Sequence, residues 1–299
     1  VIVDVLGWFP TDGPFTGLTP ARLIDTRPGG PTTDGLGSGG GALRANSTAT
    51  YQISNRGGIP ASGVSAVAIN LTAASTTASG YLTVYPFGSA KPTASNLNFT
   101  RGQIVPNMAI VPLGPDGRIT VYNFSGTTDV VIDVLGYFTT GTAFTGLTPA
   151  RLLDTRIGFP TTDNLFDGTR EVIADTVNNV RIGARPGVPA DAGSVVLNVT
   201  VTGSTGPGFL TIYPTGAKRP TASNLNFTAG ATVANMVTVP LGNGGQIAIY
   251  AGVSSVDVIV DVLGWYPNQP TPPPTTALRS PWATLVGTIS QLPMSISRL

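Results

Sequence analysis

Apolar and polar residues alternate with a period of two in VSAVAINLT (64–72), GYLTVYP (80–86), GRITVYN (117–123) and VVIDVLGYF (130–138). A period of two sends successive side chains to opposite faces, so each run reads as a β-strand. Val, Ile, Thr and Tyr fill these runs, and Gly, Pro, Asn and Ser separate them, as pleated surfaces and tight turns require. No segment keeps a helical period over three turns. The pattern predicts seven or eight strands in the first half of the chain, near 20–27, 48–54, 64–72, 80–86, 95–100, 104–112, 117–123 and 129–138. Asp116-Gly117 and Asn243-Gly244 read as hairpin turns at matching places.

The pattern then repeats. VIVDVLGWFP (1–10) returns as VVIDVLGYFT (130–139) and VIVDVLGWYP (258–267); LTPARLIDTR (18–27) returns as LTPARLLDTR (147–156); PTASNLNFT (92–100) returns unchanged at 220–228. Asp4, Asp133 and Asp261 are spaced by 129 and 128 residues. That is the size of a whole domain with its own core, far above a solenoid unit. The chain is therefore expected to be all-β, with two tandem jelly-roll-like β-sandwich domains of about 128 residues each, at 10–139 and 140–267. Residues 1–9 match the last strand of a preceding repeat. Residues 268–280 form a Pro/Thr-rich linker, and 281–299 match neither copy. The link at 139–143 is short, polar and Gly-containing, which predicts few contacts between the repeats.

Candidate chemistry sits in two groups. The first is Arg22, Asp25 and Arg27, repeated as Arg151, Asp154 and Arg156, with Asp133 and Asp261 in the terminal strands. Asp133 lies in a strand whose two faces are both apolar, so its carboxylate needs a partner, and Arg is the bidentate one available. A structural Asp–Arg pin between the first and last strands is expected. A glycosidase carboxylate pair, Asp25 with Asp133, is the competing reading. The second group is Asn70, Asn96, Asn98 and Asn107, repeated as Asn198, Asn224, Asn226 and Asn235. Amides near Tyr85 and Tyr122 match sugar hydroxyls and form a candidate glycan face; the competing role is to satisfy backbone groups inside the sandwich. Asp34 and Asp163, in matching PTTD loops, lack the Asp-x-Asp spacing of a calcium loop and read as turn formers.

Composition narrows the chemistry further. With no His and no Cys there is no Ser-His-Asp or Cys-His site, no thiolate nucleophile and no His/Cys zinc site. No catalytic residue, metal or cofactor is expected. Charged residues make up 10% of the chain and the formal net charge is +1, without a basic run, which argues against nucleic acid as a partner. Asp133 and Asp261 interrupt the most apolar segments, so no membrane helix is predicted.

The string LTPARLLDTR, GVPASGVSAVAINLT, GYLTVYP, PTASNLNFT, VPNMAIVPLGPDGRITVYN, VVIDVLGYF resembles a repeat of large secreted and cell-surface proteins of high-GC Gram-positive bacteria. The resemblance implies a non-catalytic, all-β module used in tandem, secreted or at the cell surface. The expected function is that of a structural repeat: a spacer, stalk or fibre. The alternative is a carbohydrate- or cell-wall-binding module, and a glycosidase using Asp pairs is more distant. Expected partners are a cell-wall or surface glycan and, through strand 1–9, further copies of the chain.

Overall fold

The computed structural model describes residues 5, 7–10, 13–141 and 143–268. Most of segment 1–9, nearly all of the linker 268–280 and the whole of 281–299 lie outside the described residues. Residues 7–9 are described and are not in a strand.

The first repeat contains β1 (Phe15–Asp25), β2 (Ser47–Gln52), β3 (Val64–Ala74), β4 (Gly80–Pro86), β5 (Leu97–Phe99), β6 (Val105–Pro112), β7 (Arg118–Asn123) and β8 (Asp129–Thr139). The second contains β9 (Thr145–Asp154), β10 (Val177–Arg181), β11 (Ala192–Thr202), β12 (Gly208–Pro214), β13 (Leu225–Phe227), β14 (Val233–Pro240), β15 (Gln246–Gly252) and β16 (Asp257–Pro267). All pairings are antiparallel. The sheet orders are β1-β8-β3-β6 facing β2-β7-β4-β5, and β9-β16-β11-β14 facing β10-β15-β12-β13. The second repeat copies the first strand for strand, in the double Greek-key order of a jelly roll.

The period-two pattern explains each sandwich core. Val67, Ile69 and Leu71 of β3 and Val130, Ile132 and Val134 of β8 point inward against Leu82, Val84, Ile119 and Val121 of the facing sheet. The equivalent inward set in repeat 2 includes Val195, Leu197, Val199, Val258, Val260 and Val262. β8 and β16 each lie between two neighbours in their sheet.

Two expectations are corrected. Asp116-Gly117 does make a tight turn, with φ of 58° and 70°, and in repeat 2 Gly244 and Gly245 both have φ of 68°. These turns are not hairpins. β6 pairs with β3 and β7 with β2 and β4, so the turn carries the chain from one sheet to the other. Local turn chemistry reverses the chain, but burial of both inward faces chooses the partners.

The expectation of few contacts between the repeats also fails. A third apolar cluster joins Ala66, Ala68, Ile110, Phe138 and Phe144 to Val196 and Leu263, with Met236 and Tyr266 packed against it. The described residues up to Asn268 form one compact unit. The polar link is short, and it holds together two sheet faces that each present apolar side chains outward.

Candidate functional site

The β1-β8-β3-β6 sheet and its repeat 2 counterpart, β9-β16-β11-β14, each carry a transverse row on the outward face. Arg22 of β1 stands opposite Asp133 of β8, Asp133 opposite Asn70 of β3, and Asn70 opposite Met108 of β6. Repeat 2 has the same row: Arg151, Asp261, Asn198 and Met236.

The Arg and Asp residues of the row extend into an ion-pair pin. Arg22 donates to Asp133 through Nε at 2.8 Å and Nη2 at 3.2 Å, and through Nη1 to Asp25 at 3.3 Å. Asp25 is fully buried and also accepts from Arg27 Nε at 2.8 Å and Nη2 at 2.6 Å. In repeat 2, Arg151 donates to Asp261 at 3.0 Å and to Asp154 at 3.0 Å, and Arg156 holds Asp154 at 2.9 and 2.7 Å. Hydrogen bonding from Arg27, opposed by burial, keeps the Asp25 carboxyl below the usual carboxylate range. Burial pushes the Asp261 carboxyl up, with Arg151 opposing it. A guanidinium lies between the two carboxylates of each repeat, where a retaining or inverting glycosidase would need open space for a sugar. The arrangement ties the first strand to the last.

The eight Asn do not share a face. Asn96 and Asn224 accept the Val84 and Ile212 N–H groups at 2.8 and 2.7 Å, a backbone role inside each sandwich. Asn98 and Asn226 bond Ser95 and Ser223. Asn107 and Asn198 meet between the repeats: Asn107 Nδ2 donates to Asn198 Oδ1 at 3.0 Å, and Asn198 Nδ2 donates to the Ser95 carbonyl at 2.6 Å. The Asn107 Oδ1 also accepts the Met236 N–H at 3.2 Å. Asn70 stays on the open row of repeat 1, and Asn235 is exposed.

Sequence reasoning missed two features. Asp34 and Asp163 do more than turn the chain: each takes a bidentate bond from a buried arginine 22 residues on, Arg56 at 2.7 and 2.9 Å and Arg185 at 2.9 and 2.6 Å. Arg56 also donates to the carbonyls of Leu23, Leu36 and Gln52. Its bonds to Asp34 are the main reason that carboxyl is held down at about 2. The matching Asp–Arg offset in the two copies was the available signal. The second feature is an aromatic group on the outward face of the other sheet. Tyr81 and Phe124 stack at 4.6 Å, Tyr122 lies 6.2 Å from Tyr81, and Lys91 sits 4.5 Å over Tyr122. Repeat 2 has Phe209 and Tyr250 at 6.0 Å, with Arg219 3.7 Å over Tyr250. Among the described residues no group of three or more Asp or Glu is placed to hold a metal, and no helix is long and apolar enough to cross a membrane.

Fold and site together define a tandem of eight-stranded antiparallel β-sandwiches joined by a seam of apolar and amide contacts. No protein-family model matches the chain, and no curated protein matches it. Among solved structures it is similar to the N-terminal CBM22-1–CBM22-2 tandem domain of Xyn10C from Paenibacillus barcinonensis. The identity is 10%, the TM-score is 0.23, and the match covers 85% of this chain and 99% of that one.

Proposed function

We propose that the chain is a non-catalytic structural repeat segment, a rigid spacer or stalk of an exported or cell-surface protein. The observation that carries this reading is the seam. Two sandwiches with complete cores of their own are also locked by a shared apolar cluster and by the Asn107–Asn198 bonds. A hinge between independent binding modules needs no such lock; a load-bearing or distance-setting element does. Capture of the Asp25 and Asp133 carboxylates by Arg22 and Arg27 supports a structural rather than a catalytic role. Small-angle scattering and backbone relaxation on the full chain test the reading. One rigid body spanning residues 13–268 is expected, and independent tumbling of the two sandwiches overturns it.

The aromatic groups on both outward sheets favour a second reading, a carbohydrate-binding module. An aromatic ring accepts the apolar face of a sugar, and the adjacent Lys91 or Arg219 supplies donors to its hydroxyls. Electrophoresis through gels containing cell-wall polysaccharide distinguishes the readings. Retardation that is lost in Tyr81→Ala and Tyr250→Ala supports binding; unretarded migration leaves the spacer reading alone.

A further inference from the structure

The seam between the repeats is one-sided. Repeat 1 contributes an edge: the Thr93 and Ser95 carbonyls before β5 and the Asn107 amide on β6. Repeat 2 contributes its transverse row: Arg151 Nη2 donates to Thr93 O at 3.5 Å, Asn198 engages Ser95 and Asn107, and the Met236 N–H meets Asn107. Each repeat contains both an edge and a row, so one row and one edge are left over.

The unused pair has the same chemistry as the used pair. Repeat 1 keeps Arg22, Asp133, Asn70 and Met108 on its row, identical in type to Arg151, Asp261, Asn198 and Met236. Repeat 2 keeps Thr221, Ser223 and Asn235 on its edge, identical to Thr93, Ser95 and Asn107. That edge is preformed: Asn235 Nδ2 donates to Asn224 O at 2.5 Å, as Asn107 Nδ2 does to Asn96 O at 2.6 Å. The rows differ in cover. The Arg22 and Asp133 side chains are 36% and 20% exposed, against 12% and 0% for Arg151 and Asp261. Among the described residues the Asn70 amide reaches only Thr72, at 3.5 Å.

A second observation lies at the entry to repeat 1, beside the seam, where Phe9 also lies 6.1 Å from Tyr266. At the seam, Phe138 packs 4.5 Å from Phe144 and 6.3 Å from Tyr266, and Phe144 packs 5.0 Å from Tyr266. Ahead of repeat 1, Phe9 packs 5.0 Å from Phe15 and 6.0 Å from Phe138, and Phe15 packs 5.0 Å from Phe138. Phe9, Phe15 and Phe138 are the counterparts, one repeat earlier, of Phe138, Phe144 and Tyr266. The entry to repeat 1 is therefore packed like the junction that seats repeat 1 on repeat 2, and Phe138 serves in both triads.

We propose that the open row of repeat 1 is the seat for the edge of another repeat of this same kind, joined through residues 1–9, so that the seam propagates as a fixed step along an array. This deepens the structural-repeat reading and rests on it. Its seat bonds would run from Arg22 to the Thr221-type carbonyl, from Asn70 to the Ser223- and Asn235-type groups, and from the Met108 N–H to the Asn235-type oxygen.

The test uses the full chain with a copy of residues 139–266 placed ahead of Pro10. The sequence has no Cys, so spin labels go only where Cys is introduced. Labels at Arg44→Cys and Ile173→Cys in the unextended chain give the reference distance. Labels at Ile173→Cys of the added copy and Arg44→Cys are expected to give a distance distribution equally narrow and with the same maximum. Asn70→Ala should broaden it in the extended chain and leave the unextended reference unchanged. A broad distribution from the added copy beside a narrow reference overturns the proposal and leaves the rigid-spacer reading standing; a broad reference overturns the spacer reading itself. If that fusion does not fold, a second copy of 10–138 inserted after Phe138 gives the same comparison. The unextended chain is expected to sediment as a monomer. Concentration-dependent pairing abolished by Asn70→Ala would put a second molecule on the row and overturn the in-chain seat.

Discussion

Arg22→Met and Arg151→Met remove the same guanidinium from the same row, in two settings that differ only in cover. In repeat 2 the change strands Asp261, whose two bonds, at 3.0 and 3.5 Å, both come from Arg151 and whose side chain is fully buried. Asp154 keeps its pair with Arg156, so a single carboxylate loses its partner. Breaking a buried pair from one side costs about 3–5 kcal/mol, because the remaining charge has neither water nor a counter-charge. In repeat 1, Asp133 faces solvent in part, and its partner is more than a third exposed, so Arg22→Met should cost about 1 kcal/mol. Urea unfolding followed by far-ultraviolet circular dichroism at pH 7 measures both. The pH dependence adds a signature. The Asp261 carboxyl is already raised by burial and rises further without Arg151. A raised folded value means the native state binds the proton more readily, so the penalty is present above the raised folded value, shrinks as pH falls through it, and is gone below the unfolded value of about 4. Equal losses for the two variants, or a loss below about 1 kcal/mol for Arg151→Met, would refute the argument that the seam buries the row.

Other outcomes follow from the same geometry. Asn107→Ala removes bonds to Asn96 O, Asn198 and the Met236 N–H; it should cost about 1–3 kcal/mol and give two separate unfolding transitions by calorimetry, whereas Asn235→Ala should cost less than about 1 kcal/mol. Asp34→Asn should destabilise by about 1–2 kcal/mol at pH 7, allowing for its partial exposure. The Asp34 carboxyl is depressed to about 2 by Arg56, so its contribution is present above the unfolded value and lost as pH falls toward 2; the gap between wild type and variant should close over that window. A Cβ at Gly264 would lie 2.5 Å from the Phe144 ring. Gly264→Ala should therefore cost about 1–3 kcal/mol and raise quenching of Trp265, its neighbour in β16, by acrylamide.

The sequence by itself determined where the strands lie, which side chains face inward and which copy matches which. Period-two alternation is a local property, and the eight strand positions in repeat 1 could be read from it within a few residues. The Asp–Arg pin was legible for a related reason: a carboxylate in a strand apolar on both faces must be paired, and only arginines recur beside it. Strand pairing was not legible. Asp116-Gly117 specifies a tight reversal, but the turn leads across the sandwich because β6 and β7 each bury an inward face in a different sheet. The seam was not legible either. Asn107 and Asn235 have closely similar neighbours in sequence (VPNM and VANM), as do Asp133 and Asp261 (IDVLG and VDVLG), yet one of each pair is buried and the other is more open. Closely similar local sequence carries similar propensity, and each pair has the same side-chain hydrogen-bonding group. Which copy of each pair is covered depends on the placement of a domain about 90 residues away, as between Asn107 and Asn198, and that is a property of the tertiary structure alone.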